Sequence, residues 1–176
     1  MKTISNKLRK ALFSSETSEV VVILIKLTYV IESVSYDFYI STDNRDSFTI
    51  SGVDLKGTLS TVDDGSTEEK YVYFPVEIAL PDDSDENPVG TLTICNIDAE
   101  LTAIIRSIAN KDPLVAKLMI VLADTPNVLE MKFENFYFGS ITYDQFVISS
   151  RLILDNLLNE PYPGGTMLPS NCPGLY

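Results

Sequence analysis

The sequence predicts an α+β fold that is mainly β: an antiparallel-rich, barrel-like sheet with a short N-terminal helix, one helix at about 98–110 packed on the sheet, and an extended Pro/Gly-rich C-terminal arm. Three observations carry this. Runs rich in β-branched and aromatic residues, such as VVVILIKLTYVI and VLEMKFENFYF, recur between turn-forming clusters. One segment alone shows a well-ended helical period between two apolar runs. From Asn159 onward periodicity vanishes, and four of the nine prolines gather there. The chain therefore divides into an N-terminal helix at 1–15, a β-rich body at 16–158 and an arm at 159–176.

Residues 3–14, TISNKLRKALFS, place Ile4, Leu8, Ala11 and Leu12 on one side and Lys7, Arg9 and Lys10 elsewhere, the pattern of a short amphipathic helix that docks on the body or on a neighbour. EVVVILIKLTYVIE and YDFYIST follow as a hairpin with its turn near Ser33–Ser35. Asp43–Asp46 make a turn, SFTISGVDL returns as one strand, and GTLSTV is another strand, which ends in a loop around Gly65. KYVYFPVEIAL is a further strand, in which Pro75 cannot donate to a ladder and demands an edge or a bulge.

PDDSDENP at 81–88 is an acidic loop. Counted from Asp82, the glycine and glutamate places of a calcium loop hold Asn87 and Thr93, so the pattern fails. Asp98 then suits an N-cap, and Leu101, Ile104, Ile105 and Ile108 form a stripe that Asn110, Asp112 and Pro113 end. The runs on either side, VGTLTICNI and PLVAKLMIVLA, are apolar enough on both faces to be inner strands. ADTPN turns the second of these into VLEMKFENFYF, where Leu129, Met131 and Phe133 alternate with Glu130, Lys132 and Glu134. Gly139–Ser140 leads to ITYDQFVISSRLIL, which closes a meander. Phe133, Phe136, Tyr137, Phe138, Tyr143 and Phe146 have no interleaved bases, which favours core and interface over a base-stacking platform.

Composition narrows function. The hydrophobic fraction of 45% argues for a folded chain despite the net charge of −12. Lys2, Lys7, Arg9 and Lys10 are the charged residues of the first ten, leaving nine bases against 25 acids in the rest. Such a body repels nucleic acid. No histidine occurs, which removes the commonest general base and metal ligand. Cys95 and Cys172 lack metal-site spacing and read as one buried and one exposed thiol. No catalytic residue, metal or cofactor is expected. VVVILIKLTYVI is too short for a membrane span and contains Lys26, and no signal-peptide h-region is visible, so synthesis in the cytoplasm and no membrane partner are expected. A two-carboxylate hydrolase finds no acid in an apolar run that would raise its pKa.

Three stretches in this order, EVVVILIKLTY, GTLTICNIDAELTAIIRSIANKDPLVAKLMIVLAD and YPGGTMLPSNCPGLY, resemble the minor tail proteins at the tip of long-tailed bacteriophages, the family of the minor tail protein L of phage lambda. The resemblance spans most of the chain and rests on order and spacing, since none of the three is a sharp motif. It implies a structural subunit of the tail-tip hub in the virion. Such a subunit would form a ring around the DNA channel, a trimer rather than a hexamer, beside the distal tail ring, the central fibre or receptor-binding protein, and the tape measure. A distal tail ring protein or a host-recognition adhesin are the alternatives. Cys172 matches the first cysteine of an extension that is associated with an iron–sulfur cluster in the lambda protein. One such cysteine cannot complete a four-thiolate cluster, and none is expected. Expected interface residues are Lys7, Arg9 and Lys10 on the helix, and Tyr162, Met167, Leu168, Leu175 and Tyr176 on the arm.

Overall fold

The computed structural model describes residues 4–31, 34–79, 89–95, 114–144 and 147–154. The expected helix at about 98–110, the acidic loop and the arm at 159–176 lie outside these residues. What is described is one short helix, α1 (Asn6–Phe13), and ten strands: β1 (Val21–Ile31), β2 (Val34–Ser41), β3 (Asp46–Ile50), β4 (Val53–Ser60), β5 (Glu69–Tyr73), β6 (Val76–Ala79), β7 (Val89–Cys95), β8 (Val115–Leu122), β9 (Met131–Tyr143) and β10 (Val147–Leu154). They form a single mixed sheet in the order β3-β4-β5-β2-β1-β8-β9-β10-β7-β6. Every pairing is antiparallel except the two-residue parallel contact of β2 with β5, Ile40 to Val72 and Ser41 to Tyr73. The fold is therefore mainly β.

The hairpin of β1 with β2 and the antiparallel pair β8 with β9 form as the alternation and turn residues predict. So does the placing of β7 and β8 as inner strands. β1 is apolar on both faces because both are covered. Ile25 and Leu27 join the larger core with Ile40, Leu92, Ile94, Leu118, Phe136, Ile148 and Leu152. Val22 and Leu24 join Tyr71, Met119 and Val121 on the opposite face.

Three boundaries differ from the sequence reading. SFTISGVDL is two strands, because Ser51 and Gly52 take positive φ of 51° and 84°, the geometry of a two-residue hairpin turn matched to strand twist, and its second half runs on through GTLS as the single strand β4. β9 runs through Gly139–Ser140 to Tyr143, and the reversal comes after it, where Asp144 N–H donates to the Val147 carbonyl (2.9 Å). KYVYFPVEIAL is interrupted at Phe74–Pro75, where a bulge or edge is demanded, and yields β5 and β6.

That interruption shapes the sheet. β5 and β6 stand seven places apart in the strand order, which in a flat sheet would be about 34 Å. Yet Phe74 and Pro75 alone separate Tyr73 from Val76, and three Cα steps span about 10 Å at most. The sheet must curl until its far margin meets β5. The hydrogen bonds at the link agree: Phe74 N–H donates to the Ser41 carbonyl in β2 (3.0 Å), and the next residue, Pro75, accepts from Cys95 N–H in β7 (3.0 Å). The larger core fills the space this curl encloses.

Candidate functional site

The sequence places its described candidates on α1, and the structure shows how that helix is held. Ser5 caps it, accepting from Leu8 N–H (3.1 Å), while its own N–H donates to Glu130 Oε2 (2.8 Å). Glu130 is buried beneath this contact. In the alternation it falls on the face opposite Leu129, Met131 and Phe133, and no local signal announces a partner 125 residues away in sequence. Lys7 Nζ bridges Glu19 Oε2 and Asp124 Oδ2, both at 3.1 Å, and the Glu19 hydrogen bond, followed by that of Asp124, holds its pKa above the usual lysine value. Lys7 thus spends its charge within its own chain.

Leu8 is buried, but Leu12, expected on the docking side, is 64% exposed, and Phe13 beside it is 88% exposed. Arg9 and Lys10 are exposed as well and make no ion pair among the described residues. α1 is therefore pinned at its start and offers a basic, apolar end to solvent. Between its last turns and residues 16–19 lies an open cleft of ≈ 260 Å³. Tyr162, Met167, Leu168, Leu175 and Tyr176 lie outside the described residues, so the structure brings none of them to α1.

At the far end of β1 a second surface appears. Pairing of β1 with β8 stops at Thr28 opposite Val115, and β2 meets β5 only through Ile40 and Ser41. Residues 29–31 and 34–39 consequently form a two-stranded ribbon with no further strand beside it among the described residues. Tyr29 stacks on Tyr36 with ring centroids 5.5 Å apart. Val30, Val34 (51% exposed) and Tyr36 (46% exposed) remain in water. Such unpaired apolar ribbons are poorly stable alone.

Among the described residues, the densest group of ion pairs lies between these ends. Lys26 of β1 is the register partner of Lys117 of β8, and the loop after β4 lowers Asp63 between them. Lys26 Nζ to Asp63 Oδ2 is 2.8 Å and to Asp37 Oδ2 3.0 Å, and Lys117 closes on Asp63 Oδ1. Burial pushes the Asp63 carboxyl up, but the hydrogen bonds from Lys117 and Lys26 outweigh it and the net shift is down. Burial likewise pulls Lys26 down, and Asp63 and Asp37 more than reverse it. Asp64 next door accepts from Ser66 and Thr67 N–H (2.9 and 2.8 Å), which lowers its own pKa. A lysine held protonated and a carboxyl held ionised are the opposite of a nucleophile or a general acid. This cluster fastens a loop to the sheet. The loop's root is tied again where Ser60 Oγ donates to the Pro126 carbonyl (2.6 Å) and Thr61 N–H to Asn127 Oδ1 (3.0 Å).

Among the described residues no three of His, Cys, Asp and Glu stand together as a metal site, and Cys95 is an exposed free thiol rather than a buried one. No described helix is long and apolar enough to cross a membrane. Searches of known families and of curated proteins return no match.

Proposed function

We propose that the chain is a structural, non-enzymatic subunit of the tail tip of a long-tailed bacteriophage. In this reading it is a minor tail protein of the baseplate hub, and three copies form a ring around the DNA channel. The ring links the distal tail to the central fibre or receptor-binding protein. The observation that carries the reading is the pair of apolar elements left in water at opposite ends of a body whose own core is filled: the Leu12–Phe13 end of α1 and the β1–β2 ribbon. Soluble monomers seldom keep such elements unpartnered, whereas ring subunits complete themselves by burying them.

The curled sheet, with Phe74–Pro75 joining β5 to its far margin, supports a barrel-like body as the rigid block of the ring. The net charge of −12 suits a channel wall that DNA passes without sticking, because an acidic surface gains nothing from counterion release. The arm at 159–176, with Tyr162, Met167, Leu168, Leu175 and Tyr176, is suited to lie over a neighbouring subunit.

Mass spectrometry of purified virion tails, with imaging of the tip, tests this. The expected result is the chain in the tip, in a ring of three-fold symmetry. Mature tails without it would overturn the proposal, and a six-fold ring would overturn the trimer.

A further inference from the structure

We infer that the exposed end of α1 is the seat of the chain's own C-terminal arm, with Tyr162, Met167 and Leu168 laid over Leu12 and Phe13. The first argument is where the described chain stops. β10 runs antiparallel to β9 with Leu154 opposite Phe136, so the chain leaves β10 in the direction of Met131. Glu130, the next residue along, holds the Ser5 N–H at the start of α1. Met131 and Phe136 are five residues apart on β9, or about 17 Å, and α1 adds about 12 Å. Tyr162 comes eight residues after Leu154 and Leu168 fourteen, about 26 and 46 Å of extended chain. The apolar part of the arm therefore falls where the end of α1 stands.

The other long stretches outside the described residues suit the seat less well. Residues 96–113 are tied at Cys95, opposite Val147, and at Leu114, beside the Thr28–Val115 pair, both away from α1. Residues 81–88, PDDSDENP, bring no large apolar side chain. Charge also selects the arm. Asp155 and Glu160 are the only charged residues after Arg151, and Arg9 and Lys10 are exposed on α1 with no ion pair among the described residues. Phe13, 88% exposed, and Leu12, 64% exposed, supply the apolar area, with the basic pair as a polar rim. Pro161 and Pro163 restrict the arm beforehand, which lowers the entropy lost on docking. The inference stands apart from the tail-tip reading. In a ring it would leave the β1–β2 ribbon, Leu175 and Tyr176 to meet the neighbour.

The test uses the full chain carrying Cys95→Ser and Cys172→Ser, with Ser15→Cys and Thr166→Cys placed beside the anchors so that none of them is removed. Treated with a short bifunctional maleimide, this chain should form a cross-link within the monomer at a rate independent of protein concentration. Adding Phe13→Ala, at a position already in water, should slow the cross-link about threefold or more, and Arg9→Glu with Lys10→Glu should slow it most at low salt. A second measurement uses the chain with its native cysteines. Tyr162→Ala, Met167→Ala and Leu168→Ala together should speed amide exchange of residues 9–13 about threefold or more and leave that of β1 unchanged. Absence of a cross-link within the chain overturns the inference. A rate that Phe13→Ala leaves unchanged also overturns it, since a tethered arm would then be meeting the helix by chance. Cross-links only between chains, rising with concentration, would give the seat to a neighbour's arm and overturn it too, as would unaltered exchange at residues 9–13. Both measurements need only purified protein, so their failure leaves the tail-tip reading to the virion experiment.

Discussion

Lys26 stands directly opposite Lys117 across β1 and β8, a placing that like charges make unfavourable in a sheet unless something lies between them. Asp63 is that something, and its side chain is only 10% exposed. Asp63→Asn should cost about 2 kcal/mol in urea unfolding, less than a fully buried pair because both lysines keep some contact with water. The pH dependence has a definite sign. With its folded pKa depressed, Asp63 stabilises the protein above its usual 3.8, and that contribution is lost as pH falls through the lower folded value. The gap between native protein and Asp63→Asn should be constant near neutrality and shrink below about pH 4. A gap that stays open in acid would show that the carboxylate charge is not what matters. Nearby, the Tyr71 hydroxyl is buried with no hydrogen-bond partner among the described residues, against the edge of Tyr39 at 5.1 Å. Tyr71→Phe should be neutral or stabilise by up to about 1 kcal/mol, and a clear loss of stability would show that the hydroxyl is satisfied.

At the level of elements, β9 shows where alternation was readable and where it failed. Phe133, Phe136 and Phe138 all join the larger core, though strict alternation cannot put both Phe133 and Phe136 on one face. Asn135 resolves this at φ 61°, where the pairing with β8 slips between Ala116 and Leu118: a bulge resets the alternation. Asn135→Gly should be tolerated, whereas Asn135→Val should cost about 1–2 kcal/mol in thermal or urea unfolding. Equal stability of the two would remove the bulge as the reason. Local chemistry made the β1–β2 hairpin and the β8–β9 turn legible, since β-branched runs there end in recognisable turn residues. The Ser51–Gly52 turn was legible in principle, as a Ser-Gly pair between apolar residues, but the unbroken run around it hid the reversal. Asp63 and Glu130 were not legible, because each is decided by a partner far away in sequence, and the exposure of Leu12 was not, because the helical period does not say how far along its length α1 rests on the body.

For the molecule as a whole, net charge and topology each set an expectation. With a net charge of −12, self-repulsion in the folded body should exceed the small loss from screening exposed pairs such as Lys7 with Asp124, so the melting temperature should rise as salt is added up to about 0.15 M. A fall would mean the local ion pairs dominate. The link at Phe74–Pro75 sets the other expectation, which concerns the order of events in folding. Hairpins β1–β2, β3–β4 and β8–β9 join neighbours in sequence and can form early, but residues 69–79 put β5 beside β4 and β2 and β6 at the far margin, and they find both places only once β1 has met β8, with Ile25 opposite Leu118. High contact order of this kind makes folding slow. It also means that none of the strands from β5 round to β6 can peel away without opening the link, so this part of the body should come apart in a single step, with amide protons of β5 and β7 exchanging at the same rate as those of β1.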